Sequence, residues 1–149
     1  KDPKSDALVD NFAGQWLQIR NLRLMAPDAK QFPKFDDSLR AAMERETELF
    51  FEHVMREDRN VLEFLNGEYT FVNERLAKHY GIARDTTLGL DLRKVELPAD
   101  SHRGGVVTQA SVLKLTTNAT YTSPVKRGAW LLERIMGTPP APPPSPVRR

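Results

Sequence analysis

The densest polar chemistry in the chain is the run Thr116, Thr117, Asn118, Thr120, Thr122 and Ser123, with Lys126 and Arg127 just beyond it. Ser123-Pro124 is a helix start, because a hydroxyl caps the first turn and proline there gives up no N–H that the helix needs. Free N–H groups and partial positive charge collect at a helix N-terminus, so hydroxyls and cations gathered there suit a phosphate, sulfate or carboxylate. Arg103-Gly104-Gly105 adds a second contribution, since glycine removes the Cβ that would hold a ligand away from the backbone. The candidate anion-binding residues are thus Arg103, Gly104, Gly105, Asn118, Thr122, Ser123, Lys126 and Arg127. Two simpler explanations compete: Thr122 or Ser123 only caps the helix while the basic pair is solvated, and the glycine pair makes a tight turn. The glycines are not a nucleotide loop, because neither G-x-x-x-x-G-K-[ST] nor G-x-G-x-x-G follows a clear strand.

Other chemistry-bearing residues are sparser. His53, His79 and His102 are the three imidazoles, and no pair has the i,i+4 spacing that sets two ligands on one helix face. No Asp/Glu/His cluster shows a ligand pattern, so no metal site is expected; His53 and His79 are expected as partly buried structural residues beside Phe50 and Tyr80. Glu44, Glu46, Glu48 and Glu52 could include an acid/base pair. Four glutamates on one long solvated helix surface need no catalysis to explain them, however, and no catalytic residue is assigned. Trp16 and Trp130 each abut an apolar stripe and are expected as core or inter-domain anchors.

Helices must position these residues. Leu8, Phe12, Trp16 and Ile19 share one face of a helix expected over Ser5–Asn21, with Ser5 as its cap. Pro27 and Pro33 mark a loop, Met25–Phe35. A second helix starts at Asp36 or Asp37 and reaches about Arg56, with Arg40–Glu44 and Glu52–Arg56 as surface pairs. A short helical segment over 58–65 ends before the Asn66-Gly67 turn. Thr70 is the expected cap of a third helix, Phe71–Tyr80, closed by Gly81. Lys94–Leu97 alternates enough for a strand or hairpin arm, and Val106–Leu115 suits a helix, although its Val-Val start would suit a strand almost as well. The last helix places Val125, Ala129, Leu132 and Met136 in an expected buried stripe and ends at Gly137. From Thr138 onward the prolines dictate an extended linker. The fold class expected is mainly α: an irregular helical domain of about five to six helices with long loops, and a short hairpin as the one β option.

Composition bounds what such a chain does. Its 149 residues are 40% hydrophobic and 28% charged, enough for a core, and no apolar run is long enough to span a bilayer. Zero cysteines exclude disulfides, thiolate zinc sites and covalent haem attachment within these residues. The net charge of +2 averages two unlike parts: residues 1–97 carry 15 Lys/Arg against 18 Asp/Glu, and residues 98–149 carry 7 against 2. An acidic neighbouring domain would satisfy the basic part. Nucleic acid is not expected, because the cations are not interleaved with exposed aromatics. A start at Lys1 and an end in a proline run suggest a piece of a longer polypeptide.

Two stretches carry a family resemblance. The first is Phe12-Ala-Gly-Gln-Trp-Leu17 with Phe71-Val-Asn-Glu-Arg-Leu-Ala-Lys-His-Tyr-Gly81. The second is Arg103-Gly-Gly-Val-Val-Thr-Gln-Ala-Ser111, then Thr122-Ser-Pro-Val-Lys-Arg-Gly-Ala-Trp130 running into Gly137-Thr-Pro-Pro140. Together they resemble planctomycete-type domains of unknown function found in large, secreted, cytochrome-like proteins. Residues 1–84 resemble the closing part of domain of unknown function 1592; residues 85–138 resemble domain of unknown function 1588, the planctomycete cytochrome C domain; residues 139–149 form a proline-rich linker. The resemblance implies a periplasmic or secreted setting, adjoining domains of the same polypeptide as partners, no cofactor in this chain, and haem only in other domains of the parent. It implies no activity. The expected role is a helical module that is not catalytic by itself; the alternative is part of an extracytoplasmic enzyme or electron-transfer protein, with a pocket for an anionic small molecule or glycan near Arg103 and Asn118–Arg127.

Overall fold

The computed structural model describes residues 4–82, 89–118 and 120–142; the proline segment beyond Pro142, the expected boundary at 84 and 85, and Ala119 lie outside them. In chain order the elements are α1 (Lys4–Leu8), a π turn (Val9–Ala13), α2 (Gly14–Trp16), a 3-10 turn (Ile19–Leu24), α3 (Asp37–Arg56), α4 (Glu63–Asn66), β1 (Tyr69–Val72), α5 (Glu74–Tyr80), β2 (Arg93–Glu96), 3-10 turns at Ala99–Ser101 and Val106–Thr108, α6 (Ala110–Leu115) and α7 (Pro124–Arg134). The architecture is mainly α with long loops, and β1 and β2 form a two-stranded antiparallel sheet with Tyr69 opposite Glu96.

The first expected helix is broken into pieces. Val9, Ala13, Leu17, Ile19 and Leu22 are all buried, whereas Leu8 and Phe12 are about half exposed. At about 100° per residue, a straight helix would turn Leu22 roughly 140° away from Leu17, so burying all five needs a break. The break falls at Gln18, whose φ of 59° reverses the chain. Buried Gly14 makes room for Arg20, which folds back to donate to Asp10 O at 2.9 Å and Asn11 Oδ1 at 2.8 Å. Ser5 lies inside α1 rather than before it.

Helix α3 runs where the sequence puts it, from its cap at Asp36, which accepts from Leu39 N at 2.7 Å. Its inward face is Leu39, Ala42, Met43, Glu46, Thr47, Phe50, Phe51 and Val54. Glu52 pairs with Arg56 at 2.7 Å as expected, but Arg40 turns to Asp37, and Glu44 takes Arg23 at 3.0 Å. The short helix after it is confined to Glu63–Asn66, preceded by left-handed Asp58.

Thr70 is not a cap. Tyr69–Val72 is aromatic and β-branched, a composition suited to a half-buried pleated strand, and it pairs with Arg93–Glu96. Asn73 caps α5 instead, accepting from Leu76 N at 2.9 Å, and Gly81 ends it at a φ of 70°. The Val106–Leu115 segment is helical but interrupted: Gln109 has a ψ of 146° and separates the 3-10 turn from α6.

Of the stripe expected to be buried on the last helix, Ala129 is half-buried and the other three residues face outward. Val125 is 82% exposed, Met136 62% and Leu132 37%, while Trp130 is 6% exposed. Helix α7 has two apolar faces, and the one carrying the large indole goes inward with Leu131 and Ile135. Two apolar clusters result. One joins Val9, Leu17, Phe50 and Phe64 to Val112 and Trp130; the other joins Leu22, Leu39, Met43 and Leu76 to Ala110. Both ends of the chain contribute to a shared interior. Among the described residues no helix is long and apolar enough to cross a membrane.

Candidate functional site

Glu46 is wholly buried, contrary to the expectation that the α3 glutamates form a solvated face. The signal was present in the spacing: Glu46 and Thr47 fall in phase with Met43 and Phe50, so the helix must turn them inward. Thr70 Oγ1 donates to Glu46 Oε1, and Tyr80 donates to Oε2 at 2.5 Å. The Tyr80 oxygen in turn accepts from Ala110 N at 2.7 Å, and the Arg103 guanidinium lies 4.1 Å from the centre of the Tyr80 ring. Beside it, Thr47 and Ser111 share a hydroxyl hydrogen bond of 2.6 Å. Gln109, 3% exposed, closes the far side, and neither atom of its amide has a partner among the described residues. A cavity of about 10 Å³ lies between Glu46, Tyr80, Arg103 and Gln109, about the space of one water.

Burial pushes the Glu46 carboxyl up to about 7, against the pull of its Thr70 and Tyr80 hydrogen bonds and of Arg103. Burial, followed by the neighbouring Glu46, also raises Tyr80 well above the usual phenol range. A carboxyl with that affinity for a proton has the right acidity for acid/base work at neutral pH, but this one is wholly buried. It can bind a proton and hold α3, α5 and α6 together.

The predicted anion residues are placed as follows. Gly105 has a φ of 57° and its N–H donates to Gly67 O at 3.0 Å; a Cβ there would sit 2.4 Å from Phe64 O. The glycine does permit a close backbone approach, to the chain at Phe64 and Leu65. Gly104 N donates to Thr108 Oγ1 at 2.9 Å, and Arg103 Nη1 to Thr108 O at 3.0 Å. Ser123 Oγ accepts from Lys126 N at 3.4 Å as the cap of α7, and Lys126 Nζ donates to Asn118 Oδ1. Thr122 bridges to Thr117 across the loop, and Arg127 Nε lies 3.4 Å from Thr116 Oγ1. The structure brings Arg103 and Arg127 to one groove of about 540 Å³, floored by Trp130 and Leu131; Asn118, Thr122, Ser123 and Lys126 do not line it.

His53 packs edge-on to Tyr69 and Phe71, with ring centres at 5.2 and 5.7 Å, rather than beside Phe50. Burial, then the charge of Lys94, lowers its pKa. His79 lies 5.8 Å from Tyr80 and is lowered by burial, then by Arg103. Among the described residues no three His, Cys, Asp or Glu side chains gather as metal ligands.

No curated protein and no solved structure matches this chain. Residues 103–149, which supply both groove arginines, match the family described as Protein of unknown function (DUF1588). Residues 1–82, which supply Glu46, Thr70 and Tyr80, match the one described as Protein of unknown function (DUF1592). That second match spans more than half of the sequence, and the chain belongs to the DUF1592 family.

Proposed function

We propose that this chain is a joining module of a larger, secreted, cytochrome-like multidomain protein, without catalytic activity of its own. One observation carries the proposal: α7 buries Trp130 in the shared interior and leaves Val125 and Leu132, with Met136 just past its end, as a second apolar stripe facing out. A helix with two apolar faces is suited to sit between two bodies. The outer body is an adjoining domain of the same polypeptide, and the surplus of positive charge in residues 98–149 favours an acidic one. The test is the pair Val125→Glu and Met136→Glu in the intact polypeptide. Both sites are more than 60% exposed, so the substitutions change this chain's own stability by less than about 0.5 kcal/mol. Limited proteolysis between the domains should accelerate several-fold. Unchanged proteolysis would remove the proposal's support.

A second reading, an anionic small molecule or glycan held beside Arg103 and the Asn118–Arg127 loop, is favoured by the meeting of Arg103 and Arg127 at one groove.

A further inference from the structure

We propose that the Arg103–Arg127 groove takes a small carboxylate with an apolar body, such as an aromatic acid, and not a glycan; the inference rests on the second reading above and names its ligand class. The volume of about 540 Å³ falls in the range of small-molecule sites. Leu65, Val107, Leu113, Trp130 and Leu131 give the groove an apolar floor, and its polar groups are Ser101, His102, Arg103, Thr108 and Arg127. Leu65 comes from the DUF1592 segment, Ser101 from the stretch between the two segments, and Arg103 onward from the DUF1588 segment, so the groove lies on the seam between them.

Charge selects the head group. No Asp or Glu lines the groove. Arg23, Arg56, Arg75 and Arg134 each lie against a carboxylate. By contrast, Arg103 is held by the Thr108 carbonyl and the Tyr80 ring, and Arg127 by a 3.4 Å contact from Nε to Thr116. That contact uses one edge of the Arg127 guanidinium. Its Nη atoms have no hydrogen-bond acceptor among the described residues, and such a planar fork matches a carboxylate in two-point contact. Arg103 is oriented but partly answered by Glu46 behind Tyr80, so Arg127 is the stronger determinant.

The floor selects the body. Sugar hydroxyls laid on Leu113, Trp130 and Leu131 would lose water without gaining partners, and each buried unpartnered polar group opposes binding. An aromatic ring gains from covering those same side chains.

Calorimetric titration of the full chain with naphthoate, naphthylmethanol and glucuronate separates the claims. One bound naphthoate is expected, weakened about tenfold or more when the carboxylate becomes the neutral alcohol and about tenfold in Arg127→Gln, the loss of one charge-assisted contact. Lys126→Gln, one residue away but outside the lining, should change naphthoate affinity less than twofold. An unaltered melting temperature in both variants confirms that they fold. Glucuronate binding without naphthoate binding overturns the apolar-body inference and leaves the anion pocket standing. No binding of either acid overturns both. Naphthoate binding equal in wild type and Arg127→Gln overturns the assignment to this groove.

Discussion

At the scale of single residues, Glu46 decides most. A carboxyl placed among Thr70, Tyr80 and Arg103 ties α3 to β1, α5 and the loop before α6 through one proton-binding group. Burial raises it, which reverses the usual sense for a glutamate. The folded chain keeps the proton up to about pH 7, while the unfolded chain releases it near 4.5, so stability is highest below that window and falls as pH rises through it. Thr70, Tyr80 and Arg103 face it from β1, α5 and the loop before α6, and the Ala110 N–H faces it from α6. His53 and His79, both lowered, act in the opposite sense, so the difference between wild type and Glu46→Gln is the proper readout. Urea unfolding at pH 5 and pH 8 should show wild type losing about 2.5 kcal/mol relative to Glu46→Gln; a difference independent of pH contradicts the buried acid. This site was legible in part. Periodicity placed Glu46 in phase with Met43 and Phe50, but a glutamate is so seldom buried that charge outweighed phase. Its partners Thr70 and Tyr80 are 24 and 34 residues away, and no local pattern joins them.

At the scale of elements, the sequence carried α3 and α7 through their caps and α5 through its closing Gly81, each to within a few residues, because such signals act locally. It did not carry β1, because Tyr-Thr-Phe-Val is strand-forming only once Arg93–Glu96 comes to pair with it. The first helix failed for another reason: two apolar sets on opposite sides of one helix can both be buried only if the chain breaks at Gln18. On α7 two apolar faces competed, and only tertiary packing chose Trp130. The Arg103-Gly104-Gly105 segment is the element-scale joint that seats α6. Gly105→Ala would place a methyl 2.4 Å from Phe64 O at a backbone angle that only glycine tolerates. A loss of about 3 kcal/mol is expected by thermal or urea unfolding. A loss below about 1 kcal/mol would mean that this loop is not docked on Phe64 and Leu65.

At the scale of the whole molecule, two family segments close one interior. Trp16 Nε1 donates to Arg134 O at 2.6 Å across 118 residues, and Val112 and Trp130 pack with Val9 and Phe50. Single-tryptophan variants, Trp16→Phe and Trp130→Phe, should therefore report urea transitions with the same cooperativity, each shifted only by its own substitution. Separate transitions, one from each segment, would break the picture of a joint core. The role as a joining module stands on the outer stripe of α7, whose side chains are open in this chain. Hydroxyl-radical footprinting compares their accessibility in this chain alone and in the intact polypeptide that carries its neighbours. Met136, at 62% exposed the most readily oxidised of them, should be labelled several-fold less in the intact polypeptide, with Val125 and Leu132 following it. Equal labelling of all three in the two forms would contradict the account.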